Sequence, residues 1–288
     1  MSLIYDSSFD HNQYAYGDDL VDRLSITIDD DNKTVVSRLV GQSIGAASRN
    51  VDGVCGRHFY PQVIPTVWTQ SRNRYRMGVR DLIELESLQI RPHANSEGET
   101  LPPTDYVLYP DIADPNYLPG EPYRGIQLTG DKKFPDAPST VGLTGVWGYR
   151  SSLFETGAYI ENSNVGVAIT PASVSIPVTS YGNLKVGMLL NIDTEYLFIR
   201  VVGAGVLNVT RGVNGSTRAS HDDGSSIFAI TYPSGVVEAT LRLAAYFYLV
   251  AGGKSPLTIL EGTDRYEDIA DPWSDVRRIL RPYIRKAL

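Results

Sequence analysis

A single cysteine in 288 residues leaves no partner for an internal disulfide. The chain is therefore expected to be made and used outside an oxidising compartment. The sequons at Asn32, Asn208 and Asn214 then carry no weight, because glycosylation requires secretion. No apolar run approaches the ~20 residues that a membrane span needs, and Met1 to Asp10 holds no signal-peptide core. Positive charge is also short, with 26 Lys and Arg against 33 Asp and Glu. A net charge of -7 argues against generic nucleic-acid binding, although it leaves room for a basic patch. His11, His58, His93 and His221 are scattered, with no H-x-x-x-H or C-x-x-C pair, and no phosphate loop appears. Neither a metal nor a cofactor is expected. Tyrosine, by contrast, is abundant, at 18 residues against 7 phenylalanines. It is enriched at interfaces and also suits β-rich folds.

Asp29 to Asn32 supply acidic and capping residues before an apolar run. Val35, Val36, Leu39, Val40, Ile44, Ala47, Val51, Val54 and Cys55 then recur at helical spacing. Gly56 sits where a left-handed residue ends a helix, and Pro61 forbids continuation. Residues 1–33 show no periodicity and read as an arm. From 34 to 150 the first helix leads into short alternating strands separated by turns, an antiparallel region. Residues 151–230 read as a polar link and an inserted β module, a small barrel or sandwich, with Asn214-Gly215 as a hairpin pair. Helix returns in 231–288. Ser234 is the expected cap of one helix; Asp271 caps the next, Pro272 opens it, and Pro282 breaks it. The fold class is α+β: a unit of three helices carrying an antiparallel β domain and the inserted module.

Three motifs invite chemistry. "GQSIG", Gly41 to Gly45, matches the G-x-S-x-G nucleophile elbow, which needs a strand–turn–helix corner. Ser43 instead lies inside the helical stripe, so close packing at the two glycines is the better reading. Cys55 falls on the same stripe at a helix C-terminus, the wrong pole for a thiolate, with His58 in the following turn. Asp222 and Asp223 of "SHDDG" have metal-ligand chemistry, but such a stretch more often makes a turn. Arg72, Arg74 and Arg76 alternate, which puts them on one strand face, with Arg80 nearby. That face is either solvated or a contact for an acidic subunit or nucleic acid. Arg277, Arg278, Arg281, Arg285 and Lys286 pose the same choice on the last helix, beside the apolar Tyr283 and Ile284.

The helix ending "VDGVCGRHFYP", the β region "DYVLYP" to "VGLTGVWGY", the return "ITYPSGVVEATLRLAAYFYL" and the closing "DVRRILRPYIRK" together resemble tailed-phage head–tail connector (adaptor) proteins. The resemblance covers roughly 34–149 and 231–288; residues 165–230 depart from the minimal family pattern. It implies a structural virion protein of the neck, not an enzyme, assembled in the bacterial host cytoplasm. It further implies a ring of copies, twelve in the family, under the portal protein. Such a ring extends the DNA channel without binding DNA specifically and offers a platform for a neck, stopper or tail protein. No membrane partner is implied. Arg277, Arg278, Arg281, Tyr283, Ile284 and Arg285, with Arg72, Arg74 and Arg76, are the candidate portal or subunit contacts. The competing readings are a nucleic-acid-binding protein using the Arg-rich strand at 72–80 and a serine hydrolase built on Ser43.

Overall fold

The computed structural model describes residues 3–5, 10–110, 121–149, 159–180, 183–251 and 272–285. They form an α+β fold of helices and two antiparallel sheets. The described residues divide into two units, one from within 1–56 and 158–285, the other from within 57–157.

Among the described residues the first unit holds four α-helices: α1 (Gly17–Leu24), α2 (Lys33–Cys55), α3 (Ser234–Ala251) and α4 (Pro272–Leu280). α2 follows its expected stripe, with Val36, Val40, Ile44, Ala47, Val51 and Cys55 buried, and stops at Gly56 in the left-handed conformation (φ 64°). Val35 departs from the stripe and is 51% exposed. α3 begins one residue earlier than its expected cap allows: Val236 and Val237 donate to the Pro233 carbonyl, and Ser234 is already helical. Its buried positions are Val236, Ala239, Thr240, Leu243, Ala244, Ala245 and Leu249, while Val237, Leu241 and Tyr248 are only half-buried. Pro272 opens α4 as expected, and Pro282 converts the chain to a 3-10 turn over Arg281–Tyr283. Asp271 lies outside the described residues.

The segment expected as an arm packs instead. Leu3, Tyr5, Tyr14, Ala15 and Leu20 are fully buried. "GQSIG" lies wholly within α2, without the strand–turn–helix corner of a nucleophile elbow, and faces this segment. Gln13 donates to the Gly41 carbonyl (3.2 Å), a Cβ on Gly45 would stand 3.4 Å from Asp10, and Ser43 is buried within α2. Tyr14 donates its hydroxyl to Asp52, which also pairs with Arg49 at 3.0 Å. Burial pushes the Asp52 carboxyl from 3.8 up to about 6, outweighing the Arg49 charge and the Tyr14 hydrogen bond, which both pull it down. The native state therefore holds this proton more tightly than the unfolded chain. Its contribution to stability grows as pH falls through 6 toward 4 and is lost as pH rises through that window. Full conversion of the shift corresponds to about 3 kcal/mol. Asp52→Asn should flatten that part of the pH dependence, read from urea unfolding at pH 5 and 7.5. Equal slopes in parent and variant would refute the assignment.

In the second unit, β1 (Gln62–Thr69), β2 (Arg76–Ile90), β3 (Glu99–Leu101), β4 (Tyr106–Tyr109), β5 (Tyr123–Leu128) and β6 (Val141–Trp147) form one sheet in the order β1-β6-β2-β5-β4, with β3 on β2. Its core is built from alternate residues of these strands, among them Met77, Val79, Leu88, Ile126, Leu143 and Trp147. Arg57, just past the helix cap, pairs with the buried Asp81 at 3.3 Å and stacks over Tyr149. Gly145 has no room for a side chain, since a Cβ there would meet the Glu84 carbonyl.

β7 (Tyr159–Asn164), β8 (Ser175–Pro177), β9 (Leu189–Ile192), β10 (Glu195–Gly203), β11 (Val206–Arg211) and β12 (Ser226–Ile230) form the other sheet, within the first unit, in the order β7-β12-β9-β10-β11-β8. Past the ends of β7 and β8, Val165 bridges Val178, and Gly166 donates to the Pro177 carbonyl. The two outer strands thus meet, and the six-strand path curls back on itself around Ile176, Leu190, Leu197, Ile199, Leu207 and Ile227. Asn214 and Gly215 both take positive φ in a Val213–Ser216 turn, but that turn leads out of β11 and is not a hairpin. The two-residue hairpin turns fall at Asp193-Thr194 and Ala204-Gly205.

Candidate assembly surfaces and a buried ion cluster

The first candidate surface is the chain's closing segment. Val276 and Leu280 are fully buried, which fixes the opposite side of α4 outward. Arg277, Arg278 and Arg281 are exposed there, and Ile284 is 41% exposed. Arg278 is tied to Asp275 at 2.7 Å, and Asp275 also takes Arg242 of α3 at 3.0 Å. Arg277 and Arg281 make no ion pair among the described residues. Tyr283 is used within the chain: its ring lies against Gly235, and burial raises its hydroxyl above the ordinary value. The Arg285 N–H donates to the Cys55 carbonyl at 2.8 Å. The closing segment therefore docks on the end of α2 and the start of α3, and leaves two arginines and one isoleucine outward. Lys286 lies outside the described residues.

The second candidate surface differs from its expectation. Arg72 and Arg74 do not stand on a strand, because β1 ends at Thr69 and β2 begins at Arg76. Asn73 is the reason. Its side-chain oxygen accepts from the N–H groups of Tyr75 (2.8 Å) and Arg76 (3.1 Å), and the Ser71 hydroxyl donates to the Asn73 and Arg76 carbonyls. These local bonds hold a turn where alternation alone suggests a strand. All three arginines are nonetheless exposed, as is Arg80. Arg76 donates to Gln127 at 2.6 Å and lies over the Tyr109 ring. None of the four makes an ion pair among the described residues. Beside them β2 leaves β6, and an apolar cleft of about 320 Å3 opens, lined by Ile64, Val67, Met77, Val79, Leu143 and Trp147, with Arg80 in its wall.

A third cluster, unexpected from sequence, lies in the curled sheet. Glu195 and Arg211 have fully buried side chains and form a two-pronged pair, Nε to Oε1 at 2.7 Å and Nη2 to Oε2 at 2.6 Å. His221 Nδ1 lies 2.6 Å from Asp193 and its Nε2 3.0 Å from Glu195. The backbone N–H groups of Gly212 and Ala219 also donate to Glu195. Burial works to raise the Glu195 carboxyl, but hydrogen bonds from Arg211, Ala219 and His221, and the Arg211 charge, hold it below its ordinary value. Every Glu195 oxygen is occupied by this chain, so the cluster is built as a tie. The neighbouring Asp222 and Asp223 are exposed and form the turn into β12. No group of three or more metal-ligating side chains occurs among the described residues. No helix among them is long and apolar enough to cross a membrane.

No family model matches this chain, and no curated protein matches it. Among solved structures it is similar to a chain described as "Neck of empty GTA particle computed with C6 symmetry", at 13% identity and a TM-score of 0.35, over 52% of this chain and 71% of that one.

Proposed function

We propose that this chain is a structural virion protein that forms a ring adaptor between portal and neck or tail. The carrying observation concerns the segments that bear the connector resemblance. The end of α2, the α3 segment and the closing helix come from opposite ends of the sequence. They meet in one helical unit, and the closing segment bonds the very carbonyl, that of Cys55, at which the opening helix stops. A particle neck is also the setting of the structural neighbour, but the reading is carried by the quoted residues and their meeting. On this reading Arg277, Arg281 and Ile284 face the portal. Copies of the chain surround a channel through which DNA passes without specific contacts, and a stopper or tail protein binds the far side.

Rim charges govern association rate and salt response, while buried anchors govern dissociation. Arg277→Glu with Arg281→Glu should slow binding to a purified portal ring about tenfold or more at low salt, with a smaller difference at high salt. Ile284→Ala should shorten the complex lifetime instead. Light scattering of the chain with and without portal reads the assembly, and binding kinetics at two salt concentrations read the contacts. Unchanged kinetics in both variants would move the portal contact away from the closing segment. A salt-sensitive DNA shift without any ring would favour the nucleic-acid reading.

A further inference from the structure

Two exposed apolar patches carry opposite charge. One borders the cleft in the second unit: Val67 (44% exposed), Tyr75 and Tyr109 stand exposed beside Arg72, Arg74, Arg76 and Arg80. The other lies at the start of α2 in the first unit. There Ile4 and Val35 are exposed beside Asp29, Asp30 and Asp31. The Ile4 N–H bonds Ser37 of α2, which fixes the N-terminal segment beside this tip. The three aspartates make no ion pair among the described residues, and nor do the four arginines. Apolar surface rimmed by charge marks a protein contact, and tyrosine and arginine are the residues such contacts favour. Nucleic acid would use the arginines but has no use for the apolar cleft between them.

We infer that the Asp29–Val35 tip of one copy docks in the Val67–Arg80 cleft of the next, with Val35 against the apolar lining and the aspartates against the arginines. The two patches are different surfaces of the same chain, so the contact is head-to-tail. Repeated around an axis, such a contact forms a ring where its rotation closes. The inference rests on the ring reading above and names the contact that would hold the ring together.

A pair of charge reversals tests it in the full-length chain by light scattering, alone and with portal. Variant one carries Asp30→Arg and Asp31→Arg, and variant two carries Arg72→Asp, Arg74→Asp and Arg80→Asp. Each alone should fall to the 31.7 kDa monomer mass. Mixed in equal amounts they should regain assembly with the two variants alternating, because the acidic tip of variant two fits the basic cleft of variant one and the basic tip of variant one fits the acidic cleft of variant two. A chain carrying all five changes should regain the parent assembly. Circular dichroism matching the parent confirms that each variant is folded. Variants that assemble like the parent, or a mixture that stays monomeric, would overturn this contact while leaving the ring standing. A parent chain that is monomeric at every concentration and with portal overturns both readings. Loss of DNA binding in variant two, with assembly intact, would assign the cleft to nucleic acid instead.

Discussion

Arg211→Ala is expected to destabilise the curled sheet by about 3–5 kcal/mol, the range found when one partner of a buried ion pair is removed. The loss has two parts. Glu195, fully buried, would keep its charge without its two-pronged partner. Arg211 also donates to the carbonyls of Thr170 and Ser173 in one turn and of Ala219 in another loop, so two loop segments would lose their common anchor. Arg211→Lys should recover little, because an ammonium cannot reproduce the planar fork. The same pair makes a pH signature. With the Glu195 carboxyl held below its ordinary 4.5, its stabilisation is complete above that value and is lost as pH falls through the lower native one. Urea unfolding of parent and both variants at neutral pH checks the size. A loss below about 1 kcal/mol for Arg211→Ala would show that the network is not the tie described.

This cluster shows where sequence reading stops. "TEYLFIRVV" and "NVTRG" are legible as strands from their apolar content, and the barrel or sandwich expectation follows. Nothing in a period of two marks Glu195 and Arg211 as partners, because the pair exists only once β10 and β11 are in register, with Leu197 opposite Arg211. A charged residue in an otherwise apolar strand was the available signal. α2 was legible for the opposite reason: its stripe, its glycine stop and Pro61 are all local. Arg72 and Arg74 were misread because alternating arginines imitate a strand, while Ser71 and Asn73 hold a turn through side-chain bonds that no periodicity records. α1, at eight residues, is too short for a periodic signal to stand out.

The N-terminal segment poses the same problem at larger scale, and its deletion should have a comparably large effect. Residues 3–5 and 10–16 hold no repeating pattern, because they dock through scattered anchors. The Tyr5 N–H donates to the Arg200 carbonyl, Arg200 donates back to the Tyr5 carbonyl, and the Tyr5 ring stacks with Phe198 of β10. Farther on, the Tyr14 N–H donates to Ser48 of α2, and the Tyr14 ring meets Tyr232 edge-on. The segment therefore bonds to the curled sheet at one end and to α2 at the other. Complete burial of one large apolar side chain contributes roughly 1.5–3 kcal/mol. Leu3, Tyr5 and Tyr14 are all fully buried. The entropy of ordering the segment works against this gain. The deletion, however, also bares Phe198, which is fully buried in the intact chain and packs against Tyr5 and His11. Removing residues 1–16 should therefore lower the melting temperature by at least about 10 °C, at some 2–4 °C per kcal/mol for a unit of this size. The single variant Tyr5→Ala should give a smaller shift of the same sign. Thermal unfolding of the three chains under one buffer decides the matter. An arm without a packing role would leave the melting temperature where it was, and that result would return residues 1–16 to such a description.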